Sequence, residues 1–258
     1  MSVSQVSIRN LTMAYGERII QKDLNFEIKK GERFIIMGDS GCGKSTLLKH
    51  IIGLKRPAKG QVLFESQDVW ALSDDQRQAL CRNFGVLYQS GALWSSMTLA
   101  QNIALPISQY TGLSTRETME LVALKLALVG LDGFGSYFPS EISGGMKKRA
   151  GLARAMALDP EVLFLDEPSA GLDPLSSRLL DELILELNES LGVTFVIVTH
   201  ELASIFAIGT EAVFLDADTK TMLEKGPPKL MAQQAQSDKV RRFLSRSDIS
   251  TDKVSTPG

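Results

Sequence analysis

The sequence is poor in the features that mark secreted and membrane-spanning proteins. It has two cysteines, Cys42 and Cys81, which cannot build a disulfide framework and therefore favour a reducing compartment. Its longest apolar stretches, such as ELVALKLALVGL at Glu120–Leu131, are interrupted by charge and are too short to span a bilayer. The opening residues MSVSQVSIRN lack the apolar core of a signal peptide. We therefore expect a cytosolic chain, unless another protein tethers it to a membrane.

An excess of charge of either sign is also missing. The 258 residues include 28 Lys and Arg against 30 Asp and Glu, which gives a formal net charge of -2. Such a balance offers no electrostatic reason to expect nucleic acid or an anionic membrane surface as a partner. We therefore predict no nucleic-acid partner. The chain length suits one large α/β domain, or one domain with an insertion.

Short apolar runs predict the strands of the fold. Runs that are apolar almost throughout are typical of parallel strands covered by helices on both faces. Four such runs occur: RFIIMG (33–38), FGVLYQ (84–89), VLFLDE (162–167) and TFVIVTH (194–200). Near the N-terminus apolar residues instead alternate with polar ones, in the sets Leu11, Met13, Tyr15 and Leu24, Phe26, Ile28. This alternation predicts two half-exposed strands of an antiparallel layer.

Helix starts are readable from their capping residues. The segment STRETMELVALKLALVG begins with a capping box formed by Ser114 and Glu117. A later helix should begin at Pro174 with Asp173 as its N-cap. Its predicted buried face is marked by Leu175, Leu179, Leu183, Leu187 and Leu191.

The order of these patterns predicts the domain organisation. Strand patterns disappear between Gln89 and Leu158, so we expect a helical subdomain inserted at roughly residues 90–158. The main domain should span residues 3–241, with a polar C-terminal tail at 242–258. A short helix is expected near its end, around Val240, Phe243 and Leu244.

The segment GDSGCGKST fits the phosphate-loop pattern G-x-x-x-x-G-K-[ST], and it follows a predicted strand and opens a predicted helix. Glycines let such a loop wrap closely around a phosphate, and its N–H groups supply partial positive charge. We expect Lys44 to reach the β- and γ-phosphates of a nucleotide and the Ser45 hydroxyl to ligate Mg²⁺. The alternative is a glycine-rich turn before a helix. The candidate phosphate-binding residues are Gly38, Asp39, Ser40, Gly41, Cys42, Gly43, Lys44, Ser45 and Thr46.

Polar residues follow three of the other predicted strands. Asp166 ends one strand, where its carboxylate can order Mg²⁺ directly or through water, and Glu167 is the candidate base for an attacking water. His200 ends the next strand, in a position to touch a γ-phosphate. Gln89 follows FGVLY and would complete the Mg²⁺ and water shell. Each residue alone would be an ordinary turn residue, but the phosphate loop favours a catalytic role.

A second candidate anion site lies in ISGGMKKRAGLARAM, at Ile142–Met156. Ser143 and two glycines open a predicted helix, and the bare N–H groups of a helix start attract anions. Four cations of the same helix are expected near this start and would add to its attraction for an anion: Lys147, Lys148, Arg149 and Arg154.

The motifs together resemble those of ABC-type ATPases. The phosphate loop, Gln89, ISGGM, VLFLDE, SAGLD (169–173) and His200 stand in the order used by that family, and the resemblance spans roughly residues 3–226. It implies an α/β P-loop NTPase fold with a RecA-like parallel-sheet core, an N-terminal antiparallel β layer and an inserted helical subdomain. It also implies ATP and Mg²⁺ as cofactors and ATP hydrolysis as the reaction.

The resemblance gives the second anion site a role. In ABC-type ATPases two copies dock head to tail, so the signature segment of one copy would cap the ATP that lies on Lys44 of the other. The residues of this segment are Ser143, Gly144 and Gly145. Asp173 would cross the same interface, and Tyr15 would stack on adenine. Stacking discriminates little among bases, so GTP is an alternative nucleotide. Met146 departs from the family, which usually has Gln there.

Two segments narrow the resemblance to the ATPase of Mla/Mce-type lipid transporters of Gram-negative bacteria: the signature with methionine, and YQSGALWSSMTLAQNIALP. This resemblance implies phospholipid transport between the inner membrane and the outer envelope, maintaining outer-membrane lipid asymmetry. The partners would be a second ATPase copy, integral-membrane permease subunits, and lipid-binding Mce-type and small accessory subunits. The ATPase would lie on the cytoplasmic face of the inner membrane.

A coupling helix of the permease would dock near Gln89–Trp94; alternatively, Leu93 and Trp94 pack inside the helical subdomain.

Other functions are weighed against this one. The chain could be the ATPase of an ABC importer or exporter for another substrate, or a soluble ABC ATPase of DNA repair or ribosomes. Repair proteins of that kind insert long coiled coils and ribosomal ones fuse two cassettes, and the sequence has neither feature. A GTPase switch would require an Asn-Lys-x-Asp motif, which is absent.

Overall fold

The computed structural model describes residues 4–245. The chain divides into two compact units: unit 1 comprises Met1–Leu72 with Val198–Gly258, and unit 2 comprises Ser73–Ile197. Most of the predicted tail, from residue 246 onward, lies outside the described residues. The predicted boundaries at 3–241 and 90–158 stay predictions.

Within residues 4–245 the strands are β1 (Ser4–Tyr15), β2 (Arg18–Lys29), β3 (Arg33–Gly38), β4 (Lys59–Phe64), β5 (Gln67–Asp68), β6 (Phe84–Leu87), β7 (Val162–Asp166), β8 (Thr194–Val198), β9 (Glu211–Leu215) and β10 (Met222–Gly226). The helices of the same residues are α1 (Lys44–Ile51), α2 (Asp74–Cys81), α3 (Leu99–Tyr110), α4 (Thr115–Leu128), α5 (Gly144–Ala155), α6 (Pro174–Leu191), α7 (Leu202–Ile208), α8 (Pro228–Gln234) and α9 (Asp238–Leu244). The four apolar runs form β3, β6, β7 and β8, which confirms them as strands.

An antiparallel sheet with the strand order β2-β1-β4-β5 lies in unit 1. In the pairing of β1 with β2, Ile8 stands opposite Phe26 and Leu11 opposite Leu24. The alternating apolar residues are buried, apart from Tyr15, which is exposed. The predicted N-terminal antiparallel layer is therefore confirmed.

Unit 1 also contains the strands that carry the phosphate loop. β3 runs parallel to β9 in register from Phe34 opposite Glu211 to Gly38 opposite Leu215, and β10 pairs antiparallel with β9. Residues 34–37 of β3 are completely buried. The loop therefore leaves a strand that is hydrogen-bonded to β9 and buried on both faces.

In unit 2 the strand order is β8-β7-β6, and β6 runs parallel to β7 with Leu87 opposite Leu165. The rings of Phe84 and Phe164 meet edge to face, with their centroids 5.4 Å apart. The carboxyl ends of parallel strands lie at the same edge, so residues that follow β6 and β7 come together there.

The predicted helix starts are confirmed. Ser114 Oγ accepts a hydrogen bond from Glu117 N over 3.3 Å, and Glu117 Oε2 accepts one from Ser114 N over 2.8 Å. At α6, Asp173 Oδ1 accepts from Leu175 N over 3.1 Å and from Ser176 N over 3.0 Å. These bonds satisfy N–H groups that a helix start would otherwise leave unpaired.

The predicted buried face of α6 is wrong. Leu175, Leu179 and Leu191 are 67%, 50% and 48% exposed, and only Leu183 and Leu187 of the five leucines are buried. Each step of four residues advances about 40° around a helix of 3.6 residues per turn, so five such residues spiral across roughly 160°. The buried side instead consists of Ser177, Leu180, Asp181, Leu183, Ile184, Leu187 and Asn188.

The short helix expected near the end of the domain is present as α9. Its Val240, Phe243 and Leu244 are buried. The Phe243 ring meets the Phe214 ring of β9 edge to face, with centroids 5.2 Å apart. This contact secures α9 to the strand that pairs with β3.

Candidate functional site

The phosphate loop, Gly38–Thr46, is shaped by glycines at positions where a side chain has no room. A Cβ on Gly38, whose φ is 146°, would lie 2.2 Å from the main-chain oxygen of Leu215. A Cβ on Gly43, at φ 103°, would lie 2.6 Å from Ile20 Cγ2. Both values are far inside van der Waals contact and both φ angles favour glycine. The loop conformation therefore requires glycine at these two positions.

Lys44 begins α1 and is 9% exposed. Its Nζ donates hydrogen bonds to the main-chain oxygens of Gly38 over 2.9 Å and Asp39 over 3.0 Å. The amine therefore points back into its own loop. Because a cation and loop N–H groups are concentrated in one concave turn, the residues fit a nucleotide phosphate group.

The remaining loop residues differ in exposure. Ser40 and Gly41 are exposed at the tip, Ser45 and Thr46 are half-buried in the first turn of α1, and Cys42 is buried. Burial raises the pKa of the Cys42 thiol. A protonated, buried thiol is a poor nucleophile, so Cys42 acts in this loop as a small apolar residue.

Tyr15 lies beside the first turn of α1. A hydrogen bond with the Thr46 side chain lowers the pKa of Tyr15, and the charge of Lys55 lowers it further. Lys55 Nζ lies 2.8 Å from the centroid of the Tyr15 ring, so a cation covers one face of the ring. The ring is nevertheless 52% exposed. Lys55 was not predicted as a site residue, because nothing in its local sequence indicates a contact with a residue forty positions earlier.

His200 lies in unit 1, just after β8, and is exposed. The neighbouring Thr199 donates its N–H to the main-chain oxygen of Ile36 in β3 over 3.3 Å. Since β3 ends two residues later at the phosphate loop, the structure brings His200 to the end of the strand that leads into that loop.

In unit 2 the structure brings Gln89, Asp166 and Glu167 to one edge of the sheet. Gln89 follows β6 and is exposed, while Asp166 ends β7 and is half-buried, as is Glu167. Burial raises the pKa of Tyr88 and the charge of Asp166 raises it further, which reflects how close the two strand ends are. Glu167 has φ 50°, in the left-handed region, which is uncommon for a residue with a side chain.

Lys148, which was predicted to lie near the anion site, contacts these residues instead. It is 6% exposed, and its Nζ donates hydrogen bonds to the main-chain oxygens of Gln89 and, over 3.3 Å, of Glu167. Burial lowers the pKa of Lys148, while the charges of Glu167 and Asp166 act in the opposite direction. The side chain thus connects α5 to both strand ends.

Two other cations of the same helix also bind carbonyl groups. Arg149 Nη1 donates to the main-chain oxygens of Val129 over 2.9 Å and Gly130 over 3.1 Å, just after α4. Arg154 Nη1 donates to the main-chain oxygen of Ala92 over 2.6 Å. The expectation that these cations surround an anion at the helix start is therefore wrong for Lys148, Arg149 and Arg154. Their amines and guanidinium groups instead hold neighbouring segments.

The signature segment stands at the start of α5. Ser143 is its N-cap, and Ser143 Oγ accepts a hydrogen bond from Met146 N over 3.2 Å. A Cβ on Gly145 would lie 3.2 Å from Ser176 Cβ in the first turn of α6. Since Asp173 caps α6 by binding Ser176 N, the structure brings the signature segment and Asp173 together. Ser143, Gly144 and Asp173 are exposed, while Gly145 is half-buried.

A divalent cation would find only part of its ligands in the chain. Among residues 4–245 no group of three or more His, Cys, Asp or Glu side chains is positioned to hold a metal ion. Mg²⁺ sites in nucleotide-binding proteins commonly use one or two protein oxygens together with phosphate oxygens and water. A hydroxyl such as that of Ser45 and a carboxylate such as that of Asp166 fit this chemistry.

Solved structures of similar shape define the class of protein. The dimeric post-hydrolysis state of the ATP-binding cassette MJ0796 bound to ADP and Pi is similar with a TM-score of 0.77 and 32% identity, covering 86% of this chain and 98% of that one. The predicted α/β P-loop ATPase fold is therefore confirmed. The chain is an ATPase that uses ATP and Mg²⁺.

The family model described as ABC transporter matches residues 21–170. The chain belongs to the ABC transporter family, as an ATP-binding subunit whose ATP hydrolysis is coupled to transport. It is similar to the intermembrane phospholipid transport system ATP-binding protein MlaF of Haemophilus influenzae, at 40% identity over 95% of this chain and 91% of that protein. It is also similar to the probable ribonucleotide transport ATP-binding protein mkl of Mycobacterium leprae, at 43% identity over 76% of this chain and 56% of that protein.

No helix among residues 4–245 combines the length and the apolar character that crossing a bilayer requires.

Proposed function

We propose that the chain is the ATPase of a transporter that moves phospholipid between the inner membrane and the outer envelope and maintains outer-membrane lipid asymmetry. The observation that carries this proposal is the similarity to the Haemophilus influenzae phospholipid protein, which extends over 91% of that protein. Ribonucleotide transport is the second candidate, because the mycobacterial relative is slightly more identical, at 43%. That similarity covers only 56% of the longer relative, which makes it weaker support for a shared substrate.

For ATP binding, we assign the β- and γ-phosphates to Lys44 and the N–H groups of the phosphate loop. The buried amine of Lys44, already directed at its own loop, supports this role. Ser45, Gln89 and Asp166 supply the oxygens for Mg²⁺. Tyr15 stacks on the base with the ring face that Lys55 does not cover. The cation of Lys55 stays on the other face of the ring.

For hydrolysis, Glu167 orients and deprotonates the attacking water, and His200 contacts the γ-phosphate. The rigid position of the Glu167 main chain supports its role, because Lys148 holds the Glu167 carbonyl from α5. A base must be held within hydrogen-bonding distance of its water to act on it.

Two copies of the chain sandwich two ATP molecules in this proposal. The signature segment and Asp173 of one copy complete the site that Lys44 forms in the other. The exposure of Ser143, Gly144 and Asp173 supports this assignment, since a capped helix start whose N–H groups face outward can receive a phosphate from a partner. Met146 keeps its main-chain contact with Ser143, so the helix start does not depend on the usual Gln.

The permease docks on unit 2 near Trp94. The Trp94 side chain is 59% exposed, which favours partner contact over packing inside the subdomain. Its main chain is fixed, because Asn102 Oδ1 accepts from Trp94 N over 2.8 Å and Asn102 Nδ2 donates to Trp94 O over 3.1 Å. Arg154, which holds the Ala92 carbonyl, also lines a cavity of about 270 Å³ with Leu105 and Pro106. An exposed aromatic side chain whose main chain is fixed by hydrogen bonds suits the docking of a partner helix.

The other partners follow from the same assignment. Lipid-binding Mce-type subunits and small accessory subunits would complete the transporter, and the permease would hold the ATPase at the cytoplasmic face of the inner membrane.

The test is to isolate the full transporter from its native membrane and to reconstitute it in liposomes of phosphatidylethanolamine and phosphatidylglycerol. We expect permease and Mce-type chains to co-purify, and ATP to drive transfer of a labelled phospholipid to an acceptor. Transfer of labelled ribonucleotide instead, without lipid transfer, would favour the second candidate.

The docking assignment is tested with Trp94→Ala. We expect loss of permease co-purification with unchanged ATP binding by the isolated chain. Leu124→Ala is the matched control, because Leu124 of α4 is similarly exposed, at 54%. Equal permease recovery for both variants would argue against docking at Trp94.

A further inference from the structure

Three carboxylates of unit 1 converge on the amine of Lys239, at the start of α9. Lys239 Nζ lies 2.8 Å from Asp39 Oδ2 and 2.7 Å from Asp218 Oδ2, and it also forms an ion pair with Asp216. Asp39 belongs to the phosphate loop, whereas Asp216 and Asp218 follow β9. One cation from the C-terminal part of the domain therefore binds the loop that contains Lys44.

The position of Lys239 is fixed by contacts of α9 and of the residues just before this helix. Val240, Phe243 and Leu244 anchor α9 in the core. Before the helix, Glu224 Oε1 and Oε2 accept hydrogen bonds from Gln236 N over 3.3 Å and from Ser237 N over 3.4 Å. A lysine whose helix is held at both ends loses less side-chain entropy on pairing than one on a mobile segment.

The strand end behind the phosphate loop is part of the same arrangement. Gln21 Nε2 donates to the main-chain oxygens of Cys42 over 2.7 Å and Asp216 over 2.8 Å. The buried Asp216 carboxylate accepts hydrogen bonds from Thr219 N and Thr219 Oγ1, each over 2.7 Å. The main chain of the phosphate loop is thus attached to the end of β9. Lys239 adds a second attachment, to the charged side chain of Asp39.

The charge of Asp39 creates a specific need for this cation. Asp39 follows Gly38 directly, so its carboxylate belongs to a loop that must receive the strongly negative phosphates of ATP. A like charge near a bound anion opposes binding, and a paired cation removes most of that opposition. We propose that Lys239 is a positioning residue of the ATP site, which neutralises Asp39 and holds the phosphate loop in its binding conformation. This inference rests on the proposed role of the loop in binding ATP.

The experiment compares ATP binding by four full-length chains: wild type, Lys239→Met, Asp39→Asn and the double variant. Binding of trinitrophenyl-ATP with Mg²⁺ is measured by fluorescence. Methionine keeps the length of the side chain and removes its charge. We expect Lys239→Met to bind about tenfold more weakly than wild type, which corresponds to about 1.4 kcal/mol. In the Asp39→Asn background the same change should cost less than about twofold, because no carboxylate is left to neutralise.

The dependence of ATP affinity on salt concentration is a second measurement. A merely structural role of Lys239 would not make the loss of affinity depend on salt. The loss in Lys239→Met should shrink as ionic strength rises, because salt screens the repulsion between Asp39 and the phosphates. Arg242→Met removes an exposed cation from the same helix and should bind as wild type does. Lys239→Arg should retain most of the affinity.

Thermal unfolding checks that the variants are folded. If Lys239→Met unfolds, adding Asp216→Asn removes the buried charge, and that double variant should still bind weakly because Asp39 remains uncompensated. Wild-type ATP affinity in folded Lys239→Met, or in its double variant with Asp216→Asn, would overturn the inference. It would also be overturned if Lys239→Met lowered ATP affinity equally in the wild-type and Asp39→Asn backgrounds. Failure of the wild-type chain itself to bind ATP would instead refute the proposed role of the loop.

Discussion

The side-chain amine of Lys148 lies 3.3 Å from the main-chain oxygen of Glu167 and also donates to the main-chain oxygen of Gln89. One buried cation of α5 therefore sets the positions of the proposed base and of the residue that follows β6. Both contacts are made to main-chain atoms, so they fix the two strand ends without using the carboxylate of Glu167.

Lys148→Met should lower kcat for ATP hydrolysis about tenfold, because the carbonyl groups of Gln89 and Glu167 lose a shared donor and the strand ends can shift. ATP affinity should stay within about twofold, since phosphate binding is assigned to Lys44 and the N–H groups of the phosphate loop. Steady-state kinetics and equilibrium ATP binding measure the two effects separately. Lys148→Gln should recover part of kcat, because an amide can still donate. Lys147→Met is the control, and a matching loss in that neighbour would contradict a specific role for Lys148.

Glu167→Gln should retain ATP binding while hydrolysis falls by about 10²–10⁴-fold, because the amide cannot accept a proton from water. Single-turnover hydrolysis and nucleotide binding are the measurements. Glu186→Gln, which removes an exposed carboxylate of α6, should keep the wild-type rate. A near-normal rate for Glu167→Gln would remove Glu167 from the role of base.

Shared sites can be tested by mixing two defective chains. Lys44→Ala should weaken ATP binding at least about tenfold, because a charged donor to phosphate is lost. Ser143→Asp keeps a residue that can cap α5 but sets a negative charge against the partner's ATP. Each variant alone should be inactive, whereas an equal mixture of the two should regain about a quarter of wild-type turnover, from one intact site in each mixed dimer.

No recovery in that mixture, despite mixed dimers detected by tagged pull-down, would argue that each chain works alone. Full activity of a dilute monomer would lead to the same conclusion.

Asp216 should make the protein sensitive to acid. Burial alone would raise its pKa, but hydrogen bonds from Lys239 and Thr219 outweigh burial and lower the pKa to about 2. The unfolded value is about 3.9, so the ionised carboxylate stabilises the fold above that pH, and this stability is lost as pH falls from about 4 towards 2. Urea unfolding across this range should show a shallower pH dependence in Asp216→Asn than in wild type. An unchanged slope would contradict the prediction, and Asp132→Asn, at an exposed position, serves as control.

Much of this architecture could be predicted from local sequence. The strands β3, β6, β7 and β8 appear as apolar runs, because burial on both faces leaves little choice of residue. The starts of α4 and α6 appear as capping residues, because unpaired N–H groups need acceptors within three positions. These are short-range requirements, and a single sequence displays them.

The sequence could not show which way long side chains point, or which residues far apart in the chain come into contact. The cations of α5 were expected at an anion site, yet Lys148 and Arg154 turn inward to carbonyl groups, since composition does not reveal which way a long side chain points. The face of α6 was misjudged because a strict four-residue repeat is not quite helical. Lys239 and Asp39 are 200 residues apart in sequence, so only the fold brings them together.

The left-handed backbone of Glu167 bears on how this protein can evolve. A non-glycine residue in that conformation costs about 1 kcal/mol, so the chain tolerates a local penalty at the very residue proposed to act on water. Replacing Glu167 by glycine would remove this penalty and would yield a more stable but inactive descendant. Persistence of this acid at the end of β7 would therefore reflect selection for turnover rather than for robustness.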